Sequence, residues 1–599
     1  MQTPSTASER SCPSGEWPRD ELEDLLSRVT RPGRYVGGEF NLRLKPQARP
    51  RVVLSYPDVY EVGMANQAVQ ILYAAVNDET PGVAERAYCP WPDMGDLMRA
   101  RDVRLWSLES QAPVAACDLW GITLPHELTF TNVLEMLDLA GVTLHAAARG
   151  EDEPIVLGGG PAVADPWPLA AFFDAFFVGE VEGRVAELVE ALGARTRAER
   201  LDALGRVPGV WLPPRSAADA AGPPARRQVF TEFARTMPVT RPLVPLLEAV
   251  HDRAVVELMR GCTRGCRFCQ AGMWYRPVRE RPVDLVVEAA ARTLAATGCD
   301  EVSLVSLSSC DYSAIGEAVE RVRALRPGLR VSLPSLRVDS AAVRLARFGA
   351  GQRGSATLAP EAGTQRLRER INKGVDEAQL MDAVEAVFSG GFTGLKLYFM
   401  LGLPGESDDD ARAIAATATK AAELARRVSR GRARLSVAVS SFVPKPHTPF
   451  EREAFAGEVV LRRRQRLLHD ALPRTVKAAF HDVSGSLVEA SLARGGRGSD
   501  AFVEAAWRNG ARFDGWRERF DLRAWSTAAA SCGVTLGEPA MTDPATAPWR
   551  EAVDPGVDAA FLDEERRRAE AGLHTEDCRR GECGACGVCG GGVEMEVVA

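Results

Sequence analysis

Between Arg51 and about Leu192 the chain alternates short apolar runs with stretches whose apolar residues recur every three or four positions. The runs RVVLSYP (51–57), DLWGITLP (118–125), EPIVLGGGP (153–161) and DAFFVGEVEG (174–183) are interleaved with EVGMANQAVQILYAAVN (61–77) and TFTNVLEMLDLAG (129–141). Short runs bounded by Gly and Pro predict strands, and the three-to-four recurrence predicts amphipathic helices. Strand then helix, repeated, gives a parallel sheet with helices on its faces. Residues 50–194 are therefore read as a Rossmann-like domain, preceded by a lead-in over 1–49 in which DELEDLLSRV predicts a short helix and RPGRYVGGEFN a loop.

Residues 195–250 are rich in Ala, Arg and Pro, as in LPPRSAADAAGPPARR, and read as an extended linker with a strand or two. At 251 the alternation resumes. Six strand and helix units follow, from VVELM through RVSLPSLR (330–337), SAAVRLARFG (340–349), SATLAPEA and GLKLYFMLGLPGE to LSVAVSSFVPKP (435–446). That rhythm predicts a partial (β/α)6 TIM-type barrel over 251–450, with chemistry at the C-terminal ends of its strands. Residues 451–575 are mostly helical, with a candidate strand near VKAAFHDV. Trp507, Phe513 and Trp516 fall at helical spacing, so core packing explains them better than base stacking. The fold class is thus α/β, a Rossmann-like sheet followed by a partial barrel and a mostly helical C-terminal region.

The candidate chemistry is concentrated in two cysteine sets. ELMRGCTRGCRFC places Cys262, Cys266 and Cys269 in a C-x3-C-x2-C array directly after the first barrel strand. Thiolates are the soft ligands that iron–sulfur clusters take, and three of them leave one iron of a cubane open. A zinc site short of its fourth ligand and three buried structural thiols are the bland alternatives. Closed zinc sites want four ligands in paired C-x2-C halves, which this spacing is not.

C-x3-C-x2-C with Phe268 before the third cysteine resembles the signature of the radical S-adenosylmethionine (SAM) enzymes. The resemblance implies a [4Fe–4S] cluster on Cys262, Cys266 and Cys269, with SAM chelating the open iron. It implies reductive cleavage of SAM to a 5′-deoxyadenosyl radical that takes a hydrogen atom from substrate. The loop after the second strand, where the family often has Gly-Gly-Glu for the amino group of SAM, here carries Ser308 and Ser309. After the fourth strand, Glu361 and Arg368 are placed to grip the ribose hydroxyls and the methionyl carboxylate, or else to pair with one another. GLPGE (402–406) is a turn the family commonly shows there. Met273, Trp274 and Tyr275 either close over the cluster or simply pack.

The order strand, GGGP, Asp174, VGEVEG resembles the cobalamin-binding type of domain that precedes many radical SAM cores. A D-x-H-x-x-G motif, whose His would replace the lower axial ligand, is missing. Either cobalamin binds without a protein His, with His126 as a candidate contact, or the domain is a relic. No catalytic residue beyond the metal ligands is named. The resemblance implies an electron donor of flavodoxin or ferredoxin type and an unidentified substrate, with RNA or protein in view. Methyl or sulfur transfer is the reaction in view, and an iron–sulfur redox or scaffold protein without radical turnover is the alternative.

The second set closes the chain. DCRRGECGACGVCGGG spaces Cys578, Cys583, Cys586 and Cys589 as C-x4-C-x2-C-x2-C over 576–599, read as a metal-binding tail. The spacing echoes ferredoxins and favours an auxiliary iron–sulfur cluster, with zinc left open. The other six of 13 cysteines are scattered and read as ordinary thiols. A net charge of −8 forces no nucleic-acid partner. The start lacks a secretory pattern and no apolar run has membrane-spanning length, so a cytoplasmic protein with no membrane partner is expected.

Overall fold

The computed structural model describes residues 19–215, 219–249, 253–333 and 355–598. The N-terminal sheet runs β2–β1–β3–β4–β5–β6, built from β1 (Arg51–Tyr56), β2 (Val83–Tyr88), β3 (Leu119–Thr123), β4 (Ile155–Gly159), β5 (Ala175–Phe177) and β6 (Val210–Trp211). The first five strands are parallel and β6 is antiparallel to β5. β1 and β2 are buried along their whole length, as expected of a sheet covered on both faces. The chain reverses direction across the sheet between β1 and β3, and such a reversal opens a crevice at the strand C-terminal ends.

The stretch 195–250, expected as an extended linker, is instead folded against this sheet. Thr196 and Glu199 form a capping box that starts a helix over Arg197–Gly205. Trp211 is buried beside Trp167 and Phe176. Further on, β7 (Ala225–Arg226) pairs with a strand far along the chain, described below. The composition that suggested a linker sits between these anchored pieces.

The barrel strands lie in chain order in two parallel arcs. β8 (Ala254–Glu257) pairs with β11 (Glu301–Val305), which pairs with β12 (Arg330–Ser332). A small hairpin of β9 (Met259–Arg260) and β10 (Arg279–Glu280) flanks the intervening loop. The second arc is β13 (Ser355–Glu361), β14 (Gly394–Leu401), β15 (Arg434–Ser441) and β16 (Val476–Phe480). The helix read over 340–349, and the strand beyond Ser332, lie outside the described residues. β16 falls in the mostly helical region and adds a seventh strand to the six units read from the sequence. The helix over Asp408–Val428 owes its length to a Ser407 cap, three acids in its first turn and arginines in its last.

The helices over Ser499–Arg508 and Leu522–Cys532 pack on the N-terminal sheet rather than forming a core of their own. Phe502, Val503, Phe513 and Trp525 share one core with Trp120, Phe130 and Val133. Trp507 donates its indole N–H to Glu135 at 3.0 Å. β17 (Val553–Asp554) pairs with β7 and ties the far end of the chain to the same body. Among the described residues no helix is long and apolar enough to cross a membrane.

Candidate active site

The loop after β8 carries Cys262, Cys266 and Cys269, and its shape is set by its glycines and by what grips it. Gly261 has φ +84°, and a Cβ there would lie 2.4 Å from the Pro277 carbonyl, so only glycine lets the chain turn out of β9. Asn372 Nδ2 donates to the carbonyls of Arg264 and Gly265, both at 3.2 Å, and to Thr575 O at 3.0 Å. Arg267, fully buried, donates to Glu565 (3.0 Å), to the carbonyls of Glu369 and Arg370, and to Leu573 O (2.7 Å). Arg264, Gly265 and Arg267 are thus fastened into the protein on either side of Cys266.

Those thiols are near enough to feel one another. Burial pushes the Cys269 thiol up to about 12, and the thiolates of Cys266 and Cys262 push the same way, while the Gly272 N–H and Lys373 oppose them. The Gly272 N–H donates to Cys269 Sγ at 3.3 Å. Three free thiols gathered on one loop are a soft donor set, which fits an iron–sulfur cluster. Among the described residues no three His, Cys, Asp or Glu side chains converge as they would on a single ion. Ligands of a cubane attach to different irons and need not meet at one point.

The loop after β11 stands beside it. Ser308 Oγ donates to Asp311 Oδ2 at 2.7 Å, and Ser309 Oγ donates to Leu304 O at 3.2 Å and accepts from Ser306. Both hydroxyls are spent on their own loop, which sets its backbone rather than offering side chains. Arg264, between the first two cysteines, clamps Asp311 through Nε (3.0 Å) and Nη2.

Glu361 ends β13 with φ +67°, at a point where the β13–β14 register shifts. A left-handed glutamate is a strained residue, of the kind held at functional sites. Its partner is Lys373, whose Nζ donates to Oε1 at 3.0 Å, so the mutual Glu361–Arg368 pair weighed from the sequence does not form. Arg368 is buried and turned back on its own helix start, donating to the carbonyls of Ala362 (3.1 Å) and Gly363 (3.3 Å) and to Gln365. Lys373 and Asn372 were missed in sequence. The signal was the dipeptide Asn-Lys before Gly374, a chain reversal in which Asn372 takes φ +52°.

Met273, Trp274 and Tyr275 pack into the surrounding cores. Met273 joins Val557, Phe561, Leu562 and Val588, while Trp274 and Tyr275 lie against the large core. In GLPGE, Gly402 donates to Glu406 Oε2 (2.6 Å), which Arg464 also holds at 2.6 Å. Burial pushes the Glu406 carboxyl up to about 7 against those two donors.

The strand-end loops of the N-terminal sheet are used for docking. Glu180 accepts two bonds from Arg279, each 2.7 Å, and Glu182 meets Arg260 at 2.6 Å, which fixes the sheet to the β9–β10 hairpin. Gly160 and Gly179 are demanded by protein neighbours, since a Cβ would come within 2.9 Å of Leu124 O and 2.3 Å of Gln228 O. The crevice between β1 and β3 is filled from the helical region: Trp516 Nε1 donates to Asp58 at 2.9 Å and the Phe513 N–H to Asn132 Oδ1 at 2.7 Å. His126 lies exposed at its rim. At these strand ends the polar side chains and glycines are engaged by protein partners, which does not fit a corrinoid cradle.

Beside the crevice is a polar cluster that joins three parts of the chain. Lys445, after β15, reaches Glu127 after β3 (2.6 Å) and Glu489 of the helical region (2.9 Å). Glu127 Oε2 is buried and accepts no hydrogen bond.

Strand-end loops of a parallel half-barrel that carry three clustered thiols, an internally braced serine loop and a strained carboxylate define an enzyme built around a thiolate-bound metal cluster. The family model of the radical SAM superfamily matches residues 256–418, and that of the N-terminal region of radical SAM proteins matches 68–213. The chain belongs to the radical SAM superfamily and is an enzyme of that class, whose cofactors are a [4Fe–4S] cluster and SAM. It is 26% identical over 465 residues to an uncharacterised protein of Methanocaldococcus jannaschii, spanning 76% of this chain and 90% of that one. An uncharacterised protein of Methanopyrus kandleri is 27% identical over 374 residues, 53% of this chain and 67% of its own. The radical SAM methyltransferase TsrM of Kitasatospora setae, solved with cobalamin and a [4Fe–4S] cluster, shares the fold, with TM-score 0.53 and 16% identity over 80% of this chain and 99% of that one.

Proposed function

We propose that Cys262, Cys266 and Cys269 hold a [4Fe–4S] cluster at which SAM is cleaved reductively, and that the product modifies a substrate presented at the polar cluster around Lys445. The observation that carries this reading is the placement of Cys262, Cys266 and Cys269 on one loop at the C-terminal end of the first barrel strand. When bound, the cluster supplies one electron and an open iron. The chain's own part is to position. The backbone of the Ser306–Asp311 loop would hold the amino group of SAM, and Glu361, poised by its strained backbone and Lys373, would accept from the ribose hydroxyls. Asn372 and Arg267 hold the cysteine loop in place.

Methyl or sulfur transfer to a macromolecule, RNA or protein, is the proposed reaction class. It is supported by the exposure of His126 and His481 beside the cluster, where a group carried on a larger molecule can reach. A donor of flavodoxin or ferredoxin type delivers the electron, and the reducing cytoplasm is the proposed location. The alternative is an iron–sulfur scaffold without turnover. Electron paramagnetic resonance of the reduced protein separates the two: SAM is expected to shift the cluster signal, and an unchanged signal at saturating SAM favours the scaffold.

A further inference from the structure

Neither family match extends to the tail. Its backbone is wound by left-handed residues that alternate with the cysteines: Ala585 at φ +49°, Gly587 at +82° and Gly590 at +124°. Ala585 pays a steric cost for that conformation, which glycine does not. Such alternation turns successive N–H groups toward one side, the concavity that receives anionic clusters.

The winding is anchored on both flanks. Asp558 N–H donates to Cys586 O at 2.9 Å, and Val588 is buried with Met273 and Phe561. Thr263 Oγ1, inside the first cysteine loop, donates to Asp577 Oδ1 at 2.5 Å. Arg579 Nη1 donates to Asp311 O at 2.7 Å. Beyond the cysteines, Glu280 N–H donates to Glu596 O at 2.8 Å and Glu596 N–H to Val278 O at 2.9 Å, so the end of the tail lies alongside β10.

All four tail cysteines carry free thiols, with Cys583 and Cys589 exposed. Arg276 is buried, donates to Gly272 O at 3.0 Å and lies over the ring of Phe561, which packs with Val588 and Cys586 of the tail.

We propose that Cys578, Cys583, Cys586 and Cys589 form a second metal site that takes an iron–sulfur cluster, packed against the first cysteine loop through Asp577 and Arg579. Structural zinc uses two separate cysteine pairs. Here Cys586 belongs to two overlapping C-x2-C steps, the ladder that clusters use to reach several irons at once. The guanidinium of Arg276 offsets part of the negative charge that four thiolates bring.

The site is tested on the full chain, purified and reconstituted without oxygen, by iron, sulfide and zinc quantitation together with electron paramagnetic resonance. This proposal rests on the cluster reading of the first loop only for the total. Wild type is expected to hold about eight irons per chain, and the variant Cys262→Ala, Cys266→Ala, Cys269→Ala to keep about four, all in the tail. The variant Cys583→Ala, Cys586→Ala, Cys589→Ala is expected to keep about four in the first loop.

A first-loop variant with no iron, beside a wild type with about four, overturns the tail cluster and leaves the first. Wild type and first-loop variant both at about four leave the tail cluster and overturn the first. Stoichiometric zinc in the tail overturns the iron–sulfur assignment. Should the tail triple variant not fold, Cys583→Ser at the exposed position is expected to change one of two reduced-cluster signals, and an unaltered spectrum overturns the site.

Discussion

Arg279 grips Glu180 with two parallel bonds of 2.7 Å, and the pair is the buried joint between the N-terminal sheet and the hairpin that flanks the first cysteine loop. Removing only the cation leaves a carboxylate buried without its partner. Arg279→Ala is expected to destabilise the protein by about 3–5 kcal/mol, the usual penalty for breaking a buried pair from one side. The denaturation midpoint measures it, and a loss of less than about 1 kcal/mol would mean that the joint is not held by this contact.

The same pair sets a pH dependence. Burial pushes the Glu180 carboxyl up, but the bond and charge of Arg279 and the charge of Arg260 outweigh it and hold it below the ordinary range. Arg227 faces the same carboxylate, and Glu182 and Glu257 share Arg260. A depressed carboxyl contributes stability above its unfolded value, about 4, and loses it as pH falls through the folded value. The stability gap between wild type and Arg279→Ala is therefore widest near neutrality and narrows in acid. A gap that widens on acidification contradicts this.

Glu361 and Arg368 separate binding from folding. Glu361→Gln removes an ionised acceptor worth about 1.5–3 kcal/mol and is expected to weaken SAM binding roughly 10- to 100-fold, by calorimetry on the reconstituted protein. Arg368→Ala removes a buried brace of the Ala362 and Gly363 carbonyls, so it lowers stability by about 1–3 kcal/mol while SAM affinity stays within about threefold. The reverse pattern would return Arg368 to the cofactor and Glu361 to structure.

How far the sequence was legible follows from the reach of each interaction. Most strands of the N-terminal sheet and the barrel were visible because their apolar runs are local, although β2 was not read, and Cys262, Cys266 and Cys269 were visible because one loop contains the entire ligand set. Glu180 and Glu182 were visible as strand-end residues, yet their role was not, since Arg279 lies 99 residues from Glu180 along the chain. The pairing of Glu361 with Arg368, one of two alternatives weighed, does not form for a related reason: the turn at Asn372 brings Lys373 back to Glu361 instead. The helix over 197–205 was hidden by the surrounding Ala, Arg and Pro composition, though the Thr196 and Glu199 capping pair was there to be read.

Trp516 on Asp58 closes the crevice that a corrinoid would need. Protein isolated from a cobalamin-supplemented culture is expected to lack corrinoid absorbance, with the iron–sulfur absorption unaffected. Stoichiometric cobalamin in that sample would show that the helical region swings away from the sheet.

The central claim is that three thiols on the loop after β8 support the cleavage of SAM. The most direct measurement is chromatographic detection of 5′-deoxyadenosine after anaerobic incubation of the reduced, reconstituted protein with SAM, alongside Cys266→Ala. The wild type is expected to form 5′-deoxyadenosine and methionine in equal amounts, and the variant none. No 5′-deoxyadenosine from a wild type that carries its full iron, or equal amounts from both proteins, would contradict it.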